Sequence, residues 1–266
     1  MRDTLPALVE RALTGNCRPL EFYLREQSRL PGPRANLELV EDLSALLAAS
    51  VEERPGQVRA VLTYLLADNR EQITTNTPAE FVILCGMVAS GACAAEHPQW
   101  QAETFALLDS HATSVCWRVR EGVVLAFQRL VKAAPAQALA YLSGLAASED
   151  FLRQRVAVAT LAEPVLLRDR EVLAASLAMQ RQALEHLREA GAEERKREGF
   201  RVLRQTLGYS LSVVAAATPD DGFALMRECA TWNDDDVRWL LRENIKKKRL
   251  AKFPDQLESL SRLLAR

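Results

Sequence analysis

Cys116-Trp117-Arg118-Val119-Arg120-Glu121-Gly122-Val123-Val124-Leu125-Ala126-Phe127 reads as the opening of a helix with an apolar face. An apolar–arginine pair, Val119-Arg120, sits in its first turns, and the same kind of pair returns as Leu152-Arg153 and Val237-Arg238. The first two pairs lie 33 residues apart, and the third follows 85 residues later with the Phe200-Arg201 helix between. Asp150-x-Leu152-Arg153 and Asp235-x-Val237-Arg238 match in phase, each with Asp at the helix start. Such a helix returning every 33–48 residues, alternating with a second helix, is the signature of a helical repeat array.

The rest of the chain has the same texture. Apolar residues recur at i, i+3, i+4 and i+7 nearly everywhere, Ala, Leu, Glu and Arg dominate, and period-two alternation is absent. Prolines and glycines cut the pattern at short intervals. The periodicity predicts helices at 4–14, 19–29, 36–49, 55–68, 78–94, 98–110, 114–133, 135–147, 149–166, 170–189, 193–217, 219–230, 234–249 and 254–265. Loops this short force each helix to pack against the next. The expected fold is all-α: an α-α superhelix of about seven antiparallel helix pairs, curved and right-handed, forming one domain over residues 1–266.

On these residues the chain resembles HEAT-type and armadillo-type repeat proteins. Residues 116–127 look like the second helix of a degenerate HEAT repeat, and Asp236-Val237-Arg238-Trp239-Leu240-Leu241-Arg242-Glu243-Asn244 looks like another. The resemblance covers roughly residues 36–250. The Leu30-to-Leu39 segment is similar to that of uncharacterised HEAT-repeat proteins. Trp117-x-x-Arg120, followed by an apolar helix ending Phe127-Gln128, also resembles the HEAT-like bacterial alkylpurine DNA glycosylases. Those enzymes present a catalytic carboxylate from a Trp-rich segment. Here His97-Pro98-Gln99-Trp100-Gln101 falls near that place without an Asp beside the Trp, so no catalytic residue carries over.

Composition narrows the class. The 266 residues are 48% hydrophobic, with 34 Lys+Arg against 35 Asp+Glu and a net charge of −1. That excludes a disordered chain and a disulfide-stapled miniprotein. Charge is uneven: residues 1–180 carry 17 basic and 21 acidic residues, whereas residues 181–266 carry 17 and 14. The five cysteines, Cys17, Cys85, Cys93, Cys116 and Cys229, include no Cys-x-x-Cys, so neither an oxidised framework nor a zinc ribbon is expected. Residues 1–6 lack a signal-peptide core. The longest uncharged apolar runs, Phe81–Ala95 and Gln205–Pro219, are 15 residues each, short of the ~20 a spanning helix needs. They are expected to be the most buried helices of a cytoplasmic protein that contacts no membrane.

The catalytic motifs fail on inspection. Gly86-x-x-x-x-Gly91 has P-loop spacing, but Ala92-Cys93 replaces the Lys-Ser/Thr that would reach phosphates and magnesium. Those glycines are expected to let helices approach. His97, His111 and His186 have no His partner four residues away, so no metal and no cofactor is expected.

Candidate binding residues are Arg34, Trp117, Arg120, Arg153, Arg238, Trp239, Arg242, Lys246 and Arg249. Arg238, Arg242, Lys246 and Arg249 fall at i, i+4, i+8 and i+11, one face of a helix expected over 234–249, and Lys247, Lys248 and Lys252 widen the patch. Clustered cations neutralise phosphates, and an aromatic can stack on a base. The competing reading is a solvated helix end, with Asp234, Asp235 and Asp236 at the start and cations at the end as the helix dipole favours. Arg120, Arg153 and Arg238 form either a basic ladder or a structural one tied to carboxylates such as Asp150 and Asp236. Trp117 and Trp239 lie in apolar stripes, which argues for core positions. Pro31-Gly32-Pro33-Arg34-Ala35-Asn36 reads as a rigid corner that presents Arg34, with Asn36 as an N-cap. The function expected is a non-enzymatic scaffold holding a protein or peptide partner. The alternative is a DNA-binding protein whose C-terminal cations contact phosphates.

Overall fold

The structure, a computed structural model, describes residues 4–67 and 73–265. Residue 68, the last of the helix expected over 55–68, lies outside the described residues, as do residues 1–3. The fold is all-α: the described residues form fifteen α-helices and no strand. The chain divides into two compact units, Met1–Ala134 and Pro135–Arg266.

The first unit holds α1 (Leu5–Leu13), α2 (Arg18–Gln27), α3 (Leu37–Ser50), α4 (Pro55–Leu65), α5 (Pro78–Glu96), α6 (Gln101–His111) and α7 (Trp117–Ala133). Helix α5 starts where Pro78 supplies a pre-set φ and the Thr77 hydroxyl accepts the Glu80 N–H at 3.3 Å. It has no polar face, and residues 80–94 are all buried. By length and composition α5 could cross a membrane, but 83% of its apolar window is buried within the protein. It packs mainly on α3 and α7, with α2, α4 and α6 beside it. The approach to α7 needs glycine, since a Cβ on Gly91 would stand 2.7 Å from Ala126 Cα. The Gly-x-x-x-x-Gly spacing is therefore a packing feature, as expected.

A buried ion pair pins the start of α7. Glu80 is wholly buried; its Oε1 accepts the Arg118 backbone N–H at 3.0 Å, and its Oε2 accepts the Asn76 N–H at 2.7 Å. The Arg118 guanidinium lies 3.4 Å from Glu80 Oε2 and donates to the Gly32 carbonyl at 2.8 Å. Gly32 N–H in turn reaches Asn76 Oδ1 at 3.0 Å. The 31–34 corner is thus held from two sides. Asn36 caps α3, accepting the Leu39 N–H at 3.4 Å.

The second unit holds α8 (Pro135–Ala146), α9 (Phe151–Thr160), α10 (Arg170–Glu189), α11 (Ala192–Arg195), α12 (Glu198–Ala217), α13 (Pro219–Ala230), α14 (Asp235–Ile245) and α15 (Pro254–Leu264). Helix α12 is central, touching α9, α10, α13 and α14. Its Phe200, Leu203, Leu207 and Leu211 pack with Phe223, Val237, Leu240 and Leu241 in the main core. Gly222 lets α13 lie against α12, because a Cβ there would stand 2.4 Å from Ala215 Cα. Asn244, also wholly buried, reaches α12 with its side chain. Its Oδ1 accepts the Ser212 N–H at 2.7 Å, and its Nδ2 donates to the Leu207 and Leu240 carbonyls at 2.8 and 2.7 Å.

Three expected helices are interrupted. The one expected over 149–166 ends at Thr160, because Pro164 disfavours helical geometry before it; a single 3-10 turn, Leu166–Arg168, follows. The one over 193–217 is split, Arg197 being extended (φ −71°, ψ 151°) as α12 begins. The one over 234–249 ends at Ile245; Lys247 is extended (φ −76°, ψ 124°), and a 3-10 turn covers Lys248–Leu250.

Candidate functional site

The break after α14 builds the candidate site. It turns Lys248, Arg249 and Lys252 toward the 162–168 segment rather than continuing the helix. Together with Arg168 they line a cleft of about 1000 Å³ within the second unit. One wall is a face of α12: Tyr209, Val213, Ala216 and Ala217 fall at i, i+4, i+7 and i+8. Leu167 and Val213 join Val214 in a small apolar cluster at this wall. Within residues 206–215 of α12 every side chain is buried except Tyr209, which is 38% exposed.

The electrostatics of the cleft are one-sided. Arg168, Lys248, Arg249 and Lys252 make no ion pair among the described residues, and Glu163 is the single carboxylate in the lining. Several arginines elsewhere hold carboxylates. Arg54 holds Glu10 with two bonds of 2.8 Å, and Arg181 holds Glu228 at 2.6 and 2.7 Å. Arg195 reaches Asp234 at 2.7 Å and Asp236 at 2.8 Å, and Arg204 also bonds Asp236. The bonded Arg54 guanidinium holds the Glu10 carboxyl below its ordinary pKa, as Arg181 does for Glu228. The cleft cations hold no such carboxylate. Lys252 Nζ lies 5.0 Å from the Phe253 ring centroid, but none of the four has a carboxylate; like charges so placed repel, and an anion among them relieves that repulsion.

The sequence-predicted residues disperse. Of the nine, only Arg249 lines the cleft. The four-cation helical face does not exist, because α14 ends before Lys246. Lys246 pairs with Glu243 at 2.5 Å, and Arg242 donates to the Leu264 carbonyl at 3.1 Å. Arg238 is half-buried, and its Nε has no hydrogen-bond partner. The expected carboxylate for it, Asp236, instead serves Arg195 and Arg204. Arg120 is buried and donates to the Ser114 carbonyl at 2.7 Å. Asp150 accepts the backbone N–H groups of Leu152 and Arg153 as an N-cap, and the Arg153 side chain is half-buried. Arg34 is exposed on its pinned corner.

Trp117 is not a core residue. It is 46% exposed as the first residue of α7, while Val119, Val123 and Phe127 face inward. The Arg118 guanidinium covers its ring at 4.4 Å. Trp239 is half-buried beneath Arg204 at 4.2 Å. Trp100 and Trp232 carry Arg59 at 4.5 Å and Arg188 at 5.0 Å. All four tryptophans of the chain therefore hold a guanidinium over one ring face, a contact worth roughly 0.5–1 kcal/mol at exposed sites.

Sequence reading missed Arg168 and Tyr209. Arg168 lies about eighty residues from the other cations and belongs to no periodic pattern. Tyr209 sits in a run that reads as wholly buried. Among the described residues no three His, Cys, Asp or Glu side chains gather to hold a metal.

No protein-family model matches this chain, and no curated protein matches it. Among solved structures, an engineered protein is similar at 15% identity, over 97% of this chain and 99% of its own, with a TM-score of 0.39. A likeness at that level bears on neither mechanism nor ligand.

Proposed function

We propose that this chain is a binding protein for nucleic acid, with the cleft of the second unit holding the phosphate backbone. The carrying observation is that Arg168, Lys248, Arg249 and Lys252 converge on one cleft with no carboxylate paired to any of them. Phosphodiesters are the anions that such a set neutralises, with release of counterions. The HEAT-like resemblance fits this reading. Within each unit helices touch their next-but-one neighbours, α3 with α5 and α5 with α7 in the first, α10 with α12 and α12 with α14 in the second. Stacked helix pairs produce such rows.

The test is fluorescence anisotropy with a labelled DNA duplex across a salt series. Charge reversal of Lys248 and Arg249 to Glu is expected to weaken binding and reduce the salt slope by about two. Binding and slope identical to the unaltered protein would sink the reading.

A second reading, a protein or peptide partner, rests on a different observation. In the first unit Phe22 is 64% exposed and lines a groove of about 640 Å³ with Leu5, Leu8, Pro19 and Tyr23. An aromatic on an apolar groove is a common anchor for a partner's apolar side chains. A photo-crosslinker installed at position 22, compared with one at exposed Gln205, checks it. Equal yields at both positions would leave the groove without a partner.

A further inference from the structure

We propose that the first unit carries a separate site: a cavity between α4 and α6 that takes a small uncharged molecule, mainly apolar, with one hydroxyl or carbonyl oxygen. The site is independent of the nucleic-acid reading above. Helices α4 and α6 each pack on α5, and the space they leave, about 530 Å³, is of the size of small-molecule sites. Arg59, Leu62 and Thr63 of α4, with Leu66 as its C-cap, wall one side at i, i+3, i+4 and i+7. Trp100, Glu103, Thr104 and Leu107 repeat that spacing along the start of α6 and wall the other. Ser90 of α5 lies on the lining between them.

Charge and one hydroxyl set the chemistry of the ligand. Arg59 is the single cation of the lining and Glu103 the single carboxylate, and they bond each other at 2.5 and 2.6 Å. Both are exposed, so the pair joins α4 to α6 at the mouth and leaves no charge for a ligand. Thr104 differs from the other buried helical hydroxyls. Ser44, Ser90 and Thr206 each donate to the carbonyl four residues back, at 2.7, 2.8 and 3.0 Å. Thr104 is 6% exposed, and its hydroxyl has no hydrogen-bond partner among the described residues. Buried polar groups are as a rule satisfied, so an open hydroxyl on a cavity wall is a place for a ligand's oxygen. The Ser90 oxygen, donating to Gly86, keeps lone pairs to accept a ligand hydroxyl. Leu62, Leu66 and Leu107 supply apolar contact, and the buried Trp100 supplies a broad one.

The probe is 1-naphthol, two fused rings with one hydroxyl. Its binding to the full chain is measured by equilibrium dialysis beside 1-methylnaphthalene, which lacks the hydroxyl, and 1-naphthoate, which is charged. Three proteins are used: unaltered, Thr104→Val and Leu107→Trp. Circular dichroism first checks that each is folded. The unaltered protein is expected to hold 1-naphthol about ten-fold more tightly than 1-methylnaphthalene, as one added hydrogen bond does. Thr104→Val keeps the shape of the wall and should bring the two probes to equal affinity. Leu107→Trp fills the space and should abolish binding of both. The unaltered protein should hold 1-naphthoate more weakly than 1-naphthol, because Arg59 is already engaged by Glu103. No binding of 1-naphthol, or equal binding to Leu107→Trp, overturns the site. Tighter binding of 1-naphthoate, or an undiminished preference for 1-naphthol in Thr104→Val, overturns the ligand chemistry assigned to it.

Discussion

Asn244 Oδ1 accepts the backbone N–H of Ser212 at 2.7 Å, so a side chain at the end of one helix is bonded to the backbone of another. The same amide donates to the Leu207 carbonyl of α12 and to the Leu240 carbonyl of its own helix. Asn244 is wholly buried and directly precedes the break that carries Lys248 and Arg249. It therefore fixes where the cationic turn leaves α14 relative to Tyr209 and Val213 on α12. In Asn244→Leu the number of side-chain heavy atoms is kept and the bonds are lost. A loss of about 2–3 kcal/mol is expected, since three hydrogen bonds of a buried amide, two of them to another helix, are lost. Urea unfolding at neutral pH measures it, and an unchanged midpoint would show that the bonds contribute nothing.

Glu80→Gln is expected to be more severe than its isosteric size suggests. The substitution removes the charge facing Arg118, whose side chain is 4% exposed, and leaves that cation buried without its carboxylate. Breaking a buried pair from one side costs about 3–5 kcal/mol. Denaturant unfolding of Glu80→Gln beside Glu80→Gln/Arg118→Met separates the two effects. The double variant should recover part of the loss, and a loss as large as the single variant's would contradict the account.

Asp234 gives the second unit an acid-sensitive joint. Burial pushes its carboxyl pKa up, but the Arg195 hydrogen bond and the Val237 N–H pull it further down, so it ends below its ordinary value of 3.8. A carboxylate with a depressed native pKa stabilises the fold fully above the unfolded value, and the contribution is lost as pH falls through the native one. Asp234→Asn keeps the N-cap oxygen and removes the charge. The stability difference between the two proteins is expected to be constant near neutrality and to shrink below pH 3.8. Unfolding midpoints from pH 7 to pH 2 test this, and a difference that grows on acidification would mean that the folded state raises the Asp234 pKa.

All five thiols are buried, and Cys93 and Cys229 have pKa values pushed up to about 12, by desolvation above all. The reactive form is the thiolate, so a neutral-pH thiol reagent should label the folded protein slowly and all five positions in denaturant. Because the folded pKa values exceed the unfolded ones, ionisation above pH 9 favours the unfolded chain, and stability should fall there. Rapid labelling of any cysteine in the native protein would refute its burial.

The unpaired cations of the cleft also carry a stability signature. Polyanions that bind the folded state should stabilise it by mass action, by about 2.7 kcal/mol at a hundred-fold excess over Kd, and so raise the melting temperature. Lys248→Gln/Arg249→Gln should melt at or above the unaltered protein at low salt and respond little to polyphosphate. Equal polyphosphate shifts in both proteins would place the anion elsewhere.

The sequence by itself determined that this chain is all-α, roughly where its helices start, and that α5 is buried all round. Those properties are local: caps such as Thr77, prolines such as Pro78, and apolar periodicity act within a few residues of one another. Asn36 as an N-cap and Gly91 as a packing glycine were legible for the same reason. The candidate site was not. A helix over 234–249 satisfies every local rule, yet α14 stops at Ile245. Trp117 fits an apolar stripe, yet it stands on the solvent side of the first turn of α7. Tertiary structure decided which arginines found carboxylates, placing Asp236 against Arg195 and Arg204 and leaving Arg168 with Lys248, Arg249 and Lys252. Ion pairing and cleft lining depend on groups that the chain separates by tens of residues, and helical periodicity carries no information about such pairs.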